Sequence, residues 1–535
     1  MPANQETVIV VTSDIHGFLE ADPDRGRPGL ARLAGYLRRL RENYPEVHLL
    51  DCGDMFSGHA LGGLDGGRTA ASLLGRLGYR ALTPGNHDFD FNIDESNPLH
   101  YFDVLLPIAR DQSPVPLVCL AVNLSRQGQP CPGVESRPLV LGPPAESGGR
   151  QKAGSRAGGQ KGESRPEKTS RRRRIVVCGV ANPRTMRPSV ASGLPGFNFG
   201  LPAGSDPGDA GAFRNELARI LSPYDRPGDV VVVLSHLGQS ASPGRLTGRD
   251  LALIPNAAIV CDGHSHKVCQ PTPVPGGGVY LNLGQALEAV AEIVVDQDPK
   301  LPPRTRLLNF RDLKAYPEDR ELALEVRAVM ETLDLGEVLA EIPPEADLSY
   351  RLGPGLDRGL GRVVCRMLNS KARADFFLLN PGAVRSGLAG RITKADALET
   401  LPFADRVFSA PCKGGEVMDF FRSLCEAGHA HLPYFCGLII TGALLPAGAA
   451  GPGMVISRIR TADGRDLDKD ALYTLAATGQ MTRIMGRLGP GPERPGHQDH
   501  GPAAECLTTG LKSTAGAELA EIAAAGDLFL DRPPL

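Results

Sequence analysis

The sequence predicts an α/β protein of two domains, on three observations. Short apolar runs alternate with helical patterns through most of the first half of the chain. Polar side chains able to bind metals stand directly after five of those runs. A charged helical segment at residues 317–334 then separates this pattern from a second region rich in Gly and Pro. Alternating strand and helix patterns indicate a layered or sandwiched α/β unit. A chain of 535 residues is also too long for one core, so two or three domains are expected.

Taken in order, the first strand is expected from about Thr7, where Val8, Ile9, Val10 and Val11 form an unbroken apolar run. Residues 29–43 place Leu30, Leu33, Ala34, Leu37 and Leu40 at helical spacing, and residues 48–51 read as a strand. The pattern repeats through residues 70–77, 101–109, 116–123, 174–180 and 212–221, with further strand-like runs at 230–234 and 257–261. Residues 143–174 interrupt it with Pro, Gly, Ser and ten Lys or Arg against three Glu, ending in Arg171-Arg172-Arg173-Arg174. Such a composition buries too little apolar area to offset its ordering entropy, so a disordered insertion is expected there.

The first domain is accordingly placed at residues 1–310, with residues 311–335 as a linker helix and residues 336–535 as a second α/β domain. In the second domain, apolar runs at 376–379, 437–441, 454–459 and 472–478 alternate with helical patterns at 359–368, 415–427 and 515–525. The Gly- and Pro-rich stretch 489–502 reads as a mobile loop.

Composition narrows the partners. A formal net charge of -3 with mixed signs gives no reason to expect nucleic acid or a membrane surface, so an acidic substrate must be attracted locally. No window approaches the roughly 18 apolar residues of a membrane helix. The first six residues carry neither a basic segment nor a separate apolar one, which reads as a chain without a secretory signal and hence cytoplasmic. Eleven cysteines without a Cys-x-x-Cys pair agree with a reducing compartment, and Cys52, Cys178 and Cys261 in apolar runs read as small buried hydrophobes.

The five strand-end segments are Asp14-Ile15-His16, Gly53-Asp54, Gly85-Asn86-His87-Asp88-Phe89-Asp90, Ser235-His236 and Gly263-His264-Ser265-His266. Ligand sites of α/β sheets are built at strand ends. The set offers Asp, Asn and His but no Cys, which suits hard or borderline divalent ions rather than thiolate-bound zinc. The carboxylate of Asp54 has two oxygens and can bridge a pair of ions. His264 and His266 flank Ser265, and in an extended stretch they project to one side. Co-occurrence in this order, more than any one segment, points to a two-metal hydrolytic site.

This ordered set resembles the calcineurin-like metallophosphoesterases. The opening Thr12-Ser13-Asp14-Ile15-His16-Gly17, the Gly85 to Asp90 box and the closing Gly263-His264-Ser265-His266 are similar to the 5'-nucleotidase branch. In the second domain Asn380-Pro381-Gly382-Ala383-Val384-Arg385 is similar to its Asn-x-Gly-x-x-Arg substrate motif, with Ile392-Thr393 and Leu401-Pro402-Phe403 as its continuation. The resemblance implies a four-layer α/β/β/α metallophosphoesterase domain followed by a smaller α/β 5'-nucleotidase C-terminal domain. It implies that Asp14, His16 and His266 hold one divalent metal ion, that Asn86, His236 and His264 hold a second, and that Asp54 bridges them. Manganese, zinc, iron or cobalt would suit these ligands. It further implies metal-bound hydroxide attacking a nucleotide phosphate, with His87 at the phosphoryl group, Asp90 orienting it, and Asn380 and Arg385 binding substrate.

The chain departs from the family in its second domain. Where the family places the later of two base-stacking aromatics after a Gly-Gly-Asp-Gly stretch, this sequence runs Ala477-Thr478-Gly479-Gln480-Met481-Thr482-Arg483 with no Phe or Tyr; the earlier position falls near Val407-Phe408. Gly361-Arg362 stands where the family usually has Gly-Asn. The same catalytic centre acting on a cyclic nucleotide, another phosphoester or a sulfur-containing ester is therefore the alternative, and a binding module without turnover is a third reading.

Overall fold

The structure is a computed structural model, and it describes residues 6–23, 25–56, 65–93, 99–142, 173–182, 196–200, 210–239, 246–255, 257–343, 346, 348–350, 359–402, 405–426, 432–444, 454–526 and 528–531. Two sheets form the first domain. The larger has seven strands in the order Arg304–Asn309, Ala289–Asp296, Glu6–Thr12, Glu46–Asp51, Tyr79–Leu82, Val118–Leu120, Val134–Glu135. The other has six, in the order Val268–Pro273, Val279–Leu283, Ile259–Asp262, Val230–Ser235, Ile175–Val180, Leu139–Leu141.

Successive side chains of a strand point to opposite faces, and this sorts the apolar runs between layers. Ile9 and Val11 enter the space between the sheets with Leu50, Val177, Val232 and Ile293. Val8 and Val10 face the other way, against Leu33, Tyr36 and Leu37 of the helix Leu30–Asn43. On the far side Val176, Val231 and Val233 meet Phe213 and Leu217 of the helix Ala210–Leu221. Strands covered on both faces need continuous apolar runs rather than alternating ones, which is what this sequence supplies. The result is the expected four-layer α/β/β/α arrangement.

In the larger sheet Glu6–Thr12, Glu46–Asp51, Tyr79–Leu82 and Val118–Leu120 run parallel. Ile175–Val180, Val230–Ser235, Ile259–Asp262 and Val279–Leu283 do so in the smaller. Parallel order brings their carboxyl ends, and the loops that follow them, to common edges. The span 101–109 is less regular than its periodicity suggests: a π-turn, Tyr101–Leu105, leads into the helix Leu106–Gln112.

The expected linker helix is Arg320–Thr332, capped by Asp319, whose side chain accepts from Leu322 N. It is docked rather than free. Leu322 and Val326 join the core of the first domain. Arg38 pairs with Asp319 at 2.8 Å, and Arg76 pairs with Glu321 at 3.1 Å and with Glu325. After Thr332 the backbone turns to the second domain, with Ala395 N donating to Leu335 O and Lys394 N to Glu337 O, while the Leu335 side chain still packs in the first-domain core.

That domain has a five-stranded sheet in the order Tyr434–Cys436, Phe376–Leu379, Leu472–Thr478, Arg406–Lys413, Gln498–Pro502, and a three-stranded sheet in the order Met454–Thr461, Leu438–Leu444, Leu528–Asp531. The mobile loop expected at residues 489–502 is corrected here. Gln498–Pro502 pairs with Arg406–Lys413, and Arg494 clamps the approach through a two-point ion pair with Glu416 and bonds to Pro411 O, Arg487 O and Leu488 O. Gly and Pro content marked a turn-rich path, but the bonds of Arg494 and the strand pairing of Gln498–Pro502 hold it in place.

Residues 143–172 of the expected insertion lie outside the described residues. Its last two arginines are ordered: Arg173 donates to Gly228 O, Asp296 O and Leu301 O, and Arg174 pairs with Asp229. No helix among the described residues is long and apolar enough to cross a membrane. Cys52, Cys178 and Cys261 are buried free thiols, as their apolar surroundings suggested.

Candidate metal centre

Backbone pairing between strand-end loops builds the centre. Asp14 N donates to Gly53 O, His16 N to Asp54 O and Gly17 N to Met55 O, at 2.9 to 3.1 Å. Five of the candidate ligands then adopt left-handed backbone: Asp14 at φ 50°, His16 at 52°, Asp54 at 56°, His264 at 69° and His266 at 50°. Side chains other than Gly avoid this region, and its clustering at one place marks stored strain that the surrounding bonds must hold. It also corrects one expectation. His264 and His266 do not share a face by extended geometry; each turns through a left-handed residue, with Ser265 N bonded back to Gly263 O at 2.8 Å.

Small residues permit the close approach. A Cβ on Gly85 would overlap Asp54 Oδ1, and one on Gly263 would overlap Ser13 Oγ and Asp14 Oδ2. The loops therefore close to a distance that only glycine allows.

Two ligand groups result. Single ligand atoms of Asp14, His16, Asp54 and His266 all lie within 4.8 Å of one another, and so do those of Asp54, His236 and His264. His266 Nε2 is 3.2 Å from Asp14 Oδ1, and His16 Nε2 is 3.1 Å from His266 Nε2. His236 Nε2 lies 2.9 Å from Asp54 Oδ2, while its Nδ1 lies 2.8 Å from Cys52 O and donates to it. That second bond fixes the tautomer and leaves Nε2 toward the carboxylate. Asn86 stands beside His87 with its Oδ1 buried and without a hydrogen-bond donor among the described residues. A buried amide oxygen without a donor is costly, and a cation would satisfy it. The donor set, carboxylates, imidazoles and one amide, fits divalent ions of intermediate hardness.

The electrostatics point the same way. Burial opposes ionisation of Asp54, but His236 and His87 outweigh it and hold the carboxyl well below its usual range. Asp14 is lowered for the same reason, with His236 and His266 against burial. Burial would depress His236, yet Asp54 and Asp14 raise it to about 10. Burial pushes His16 and His264 down to about 3 each. The centre thus holds two carboxylates, two neutral imidazoles able to ligate, and one imidazole that is cationic when only protons balance the acids.

His87 Nδ1 lies 2.8 Å from Asp90 Oδ2. Burial disfavours its charged form, but the Asp90 and Asp54 carboxylates prevail and raise it. Arg385 reaches in from the second domain and its Nη2 donates to His87 Nε2 at 2.8 Å. An arginine only donates, so in this arrangement the His87 proton sits on Nδ1, and the guanidinium works against the carboxylates. Asn380, the other expected substrate residue, accepts from Gly382 N at 3.3 Å and so caps its own turn.

Sequence reasoning missed an inner ring of acids. Asp88, inside the Gly85 to Asp90 box, accepts from Asp54 N, Met55 N and Gly85 N at 2.9 to 3.0 Å. Asp51 accepts from Thr12 Oγ1 and Gly53 N, and Asp262 from Leu237 N, Gly238 N and Tyr280 OH. Burial raises Asp88 and Asp262 to about 6 each. Position was the available signal: each of the three stands within a few residues of a candidate ligand.

Comparisons place this geometry among known proteins. Residues 7–138 match the family described as Calcineurin-like phosphoesterase, and residues 337–482 match the 5'-nucleotidase, C-terminal domain. The chain is 37% identical over 93 residues to the snake venom 5'-nucleotidase of Gloydius brevicauda, a match that spans only 16% of this chain and 16% of that relative's length. The solved structure of a 5'-nucleotidase precursor from Thermus thermophilus superposes with a TM-score of 0.68 at 20% identity, over 99% of this chain and 100% of that one. The sulfate thiohydrolase SoxB of the same genus does so with a TM-score of 0.62 at 15% identity, over 100% of this chain and 96% of that one. At such identities the likeness to both structures establishes the fold alone. The first family match contains Asp14, His16, Asp54, Asn86, His87 and Asp90; His236, His264 and His266 lie beyond it and are joined to them by the geometry.

Proposed function

Because this chain joins a calcineurin-like phosphoesterase domain to a 5'-nucleotidase C-terminal domain, we propose that it is a dinuclear-metal-dependent hydrolase that removes phosphate from nucleotides. The observation that carries this reading is the place of Asp54, whose carboxylate belongs to both ligand groups. Asp14, His16 and His266 would hold one ion, and Asn86, His236 and His264 the other, with Asp54 between them. Two divalent ions so held would lower the pKa of a shared water toward neutrality and supply the attacking hydroxide.

The chain's own residues then have distinct tasks. His236 presents Nε2 because Cys52 O holds its Nδ1 proton. His87, oriented by Asp90, faces the phosphoryl and leaving-group oxygens and offers positive charge as theirs grows. Arg385 contributes a planar two-point donor suited to phosphate oxygens. In the present arrangement it rests on His87, and a phosphoryl group arriving there would take over that hydrogen bond.

A second reading concerns only the substrate. Phe408 stands near the expected earlier aromatic position, and its ring lies 5.2 Å from the His497 ring at 42°. A Gly479–Met485 helix without Phe or Tyr follows the strand where the family has its later aromatic. Loss of one stacking platform removes roughly 1 to 3 kcal/mol of base binding, which favours a cyclic nucleotide, another phosphoester or a sulfur-containing ester. One assay separates the readings. The purified full chain with added manganese, with and without chelator, is offered nucleoside monophosphates, a cyclic nucleotide, an aryl phosphate and a thiosulfate ester. Chelator-sensitive release of phosphate from monophosphates is expected. Turnover of the others alone supports the second reading, and none at all defeats both in favour of a binding module.

A further inference from the structure

A cluster of four ionic side chains joins the two domains beside the metal centre. The loop that leaves the centre after His16 is closed by a bridge between Asp22 and Arg27, and Arg25 N donates to Asp22 Oδ1. From this loop Arg25 reaches Glu399 at 2.8 Å and Asp396 at 3.0 Å, and Arg27 reaches Glu399 at 3.3 Å. The Arg27 guanidinium also lies over the Phe18 ring, 4.1 Å from its centroid. Both acids stand on one short helix of the second domain, Lys394–Thr400. Glu399 is only 4% exposed while its partner Arg25 is 37% exposed, so the pairing is stronger than that of a surface pair and is still screened by salt from the arginine's side.

The same helix fixes Arg385. Thr400 O, at its end, accepts from Arg385 N at 3.0 Å, and Arg385 Nη2 donates to His87. A continuous path therefore runs from His16, through the Arg25 and Arg27 loop, across the ion cluster, along the helix to Arg385, and back to His87, whose ring centroid is 5.5 Å from that of His16. We propose that Arg25, Arg27, Asp396 and Glu399 form a latch that holds the helix Lys394–Thr400 against the first domain and thereby positions Arg385 beside His87. This rests on the hydrolase reading for what Arg385 meets, but not for the latch itself.

Position alone marks Arg25 as a positioning residue. It touches neither the ligand groups nor His87, and its side chain is 37% exposed, so Arg25→Gln is tolerable to folding. Arg25→Lys retains the charge and serves as the conservative control.

The test uses the full chain loaded with manganese. Small-angle X-ray scattering follows domain separation as sodium chloride rises from about 50 to about 500 mM, a range over which the Debye length falls severalfold. Wild type should be compact at low salt and expand as salt rises. Arg25→Gln should be expanded already at low salt and respond little, and Arg25→Lys should behave as wild type. With a phosphoester that is turned over, Arg25→Gln should raise KM about tenfold, the loss of roughly one charge-assisted contact, with kcat within about twofold. Identical scattering of Arg25→Gln and wild type at every salt concentration overturns the latch. So does an unchanged KM for Arg25→Gln. The scattering arm stands even if no phosphoester is hydrolysed, which separates failure of the latch from failure of the functional reading.

Discussion

His87 and His236 are the residues whose chemistry is easiest to separate. His87 is bonded to a carboxylate and to an arginine, not placed among the two ligand groups, so its removal should spare metal binding. His87→Ala should lower kcat by about 10²-fold or more, the usual range for general acid and base groups, with metal content by elemental analysis unchanged. An unaltered kcat would remove His87 from the mechanism. His236 makes the opposite prediction. Its pKa in the metal-free protein is raised from 6.5 to about 10, so it carries a proton at neutral pH. That proton favours the folded metal-free state: the stabilisation is full below about pH 6.5 and is lost as pH rises through about 10. A metal ion must displace the proton, so binding should release about one proton near neutrality and tighten as pH rises. Calorimetric titration of manganese in two buffers of different ionisation enthalpy measures this; a heat independent of buffer would exclude His236 from the ligands.

The strand-end loops owe their shape to acids that ligate nothing. Asp88 gathers four backbone N–H groups from two loops, those of Asp54, Met55, Phe56 and Gly85. An amide in its place offers one acceptor where two are used and turns a donor toward other donors. Asp88→Asn should destabilise the first domain by roughly 1 to 3 kcal/mol, the cost of buried groups left unpaired, and should weaken metal binding. Thermal unfolding with and without manganese reads both; a variant as stable as wild type would show that the loops hold without it. None of this ring was read from the sequence as functional. Its members look like ordinary strand-end acids until the fold turns several amides onto each. The reverse error concerned His264 and His266, where the ligand types were legible but the left-handed backbone that aims them was not.

The two domains have distinct core centres, Ile9, Val177 and Val232 in the first and Val363, Phe377 and Leu507 in the second, while Leu398 of the second domain joins the apolar cluster around Val8 and Leu33 of the first. Their contact is carried by the linker helix, by Leu398, by the ion cluster and by the Arg385–His87 bond. Calorimetry should therefore resolve two unfolding transitions. Manganese at about 100 times its dissociation constant should stabilise the first domain by about 2.7 kcal/mol and leave the other transition nearly in place. One transition that moves as a whole would show the domains to be a single cooperative unit. The linker helix is docked on the first domain through Leu322, Val326 and the Arg76 ion pairs, and Leu335 just beyond it is buried in the same core, so domain movement is expected beyond Leu335 rather than within the helix.

By itself the sequence determined the layered α/β class, the position of most strands and helices, and the types and order of the candidate ligands. Those depend on local periodicity and on which side chains follow an apolar run, and both are written along the chain. It did not determine that residues 489–502 are held in place, because the clamp is Arg494 meeting Glu416 across 78 positions. Nor did it determine that Arg385 rests on His87, which stands 298 positions away, or that Arg25 and Arg27 meet Glu399. Ion pairs and hydrogen bonds between distant segments leave no periodic signal. Only the packing of the two domains brings those groups within about 3 Å, and at that range their charges decide what the site can hold.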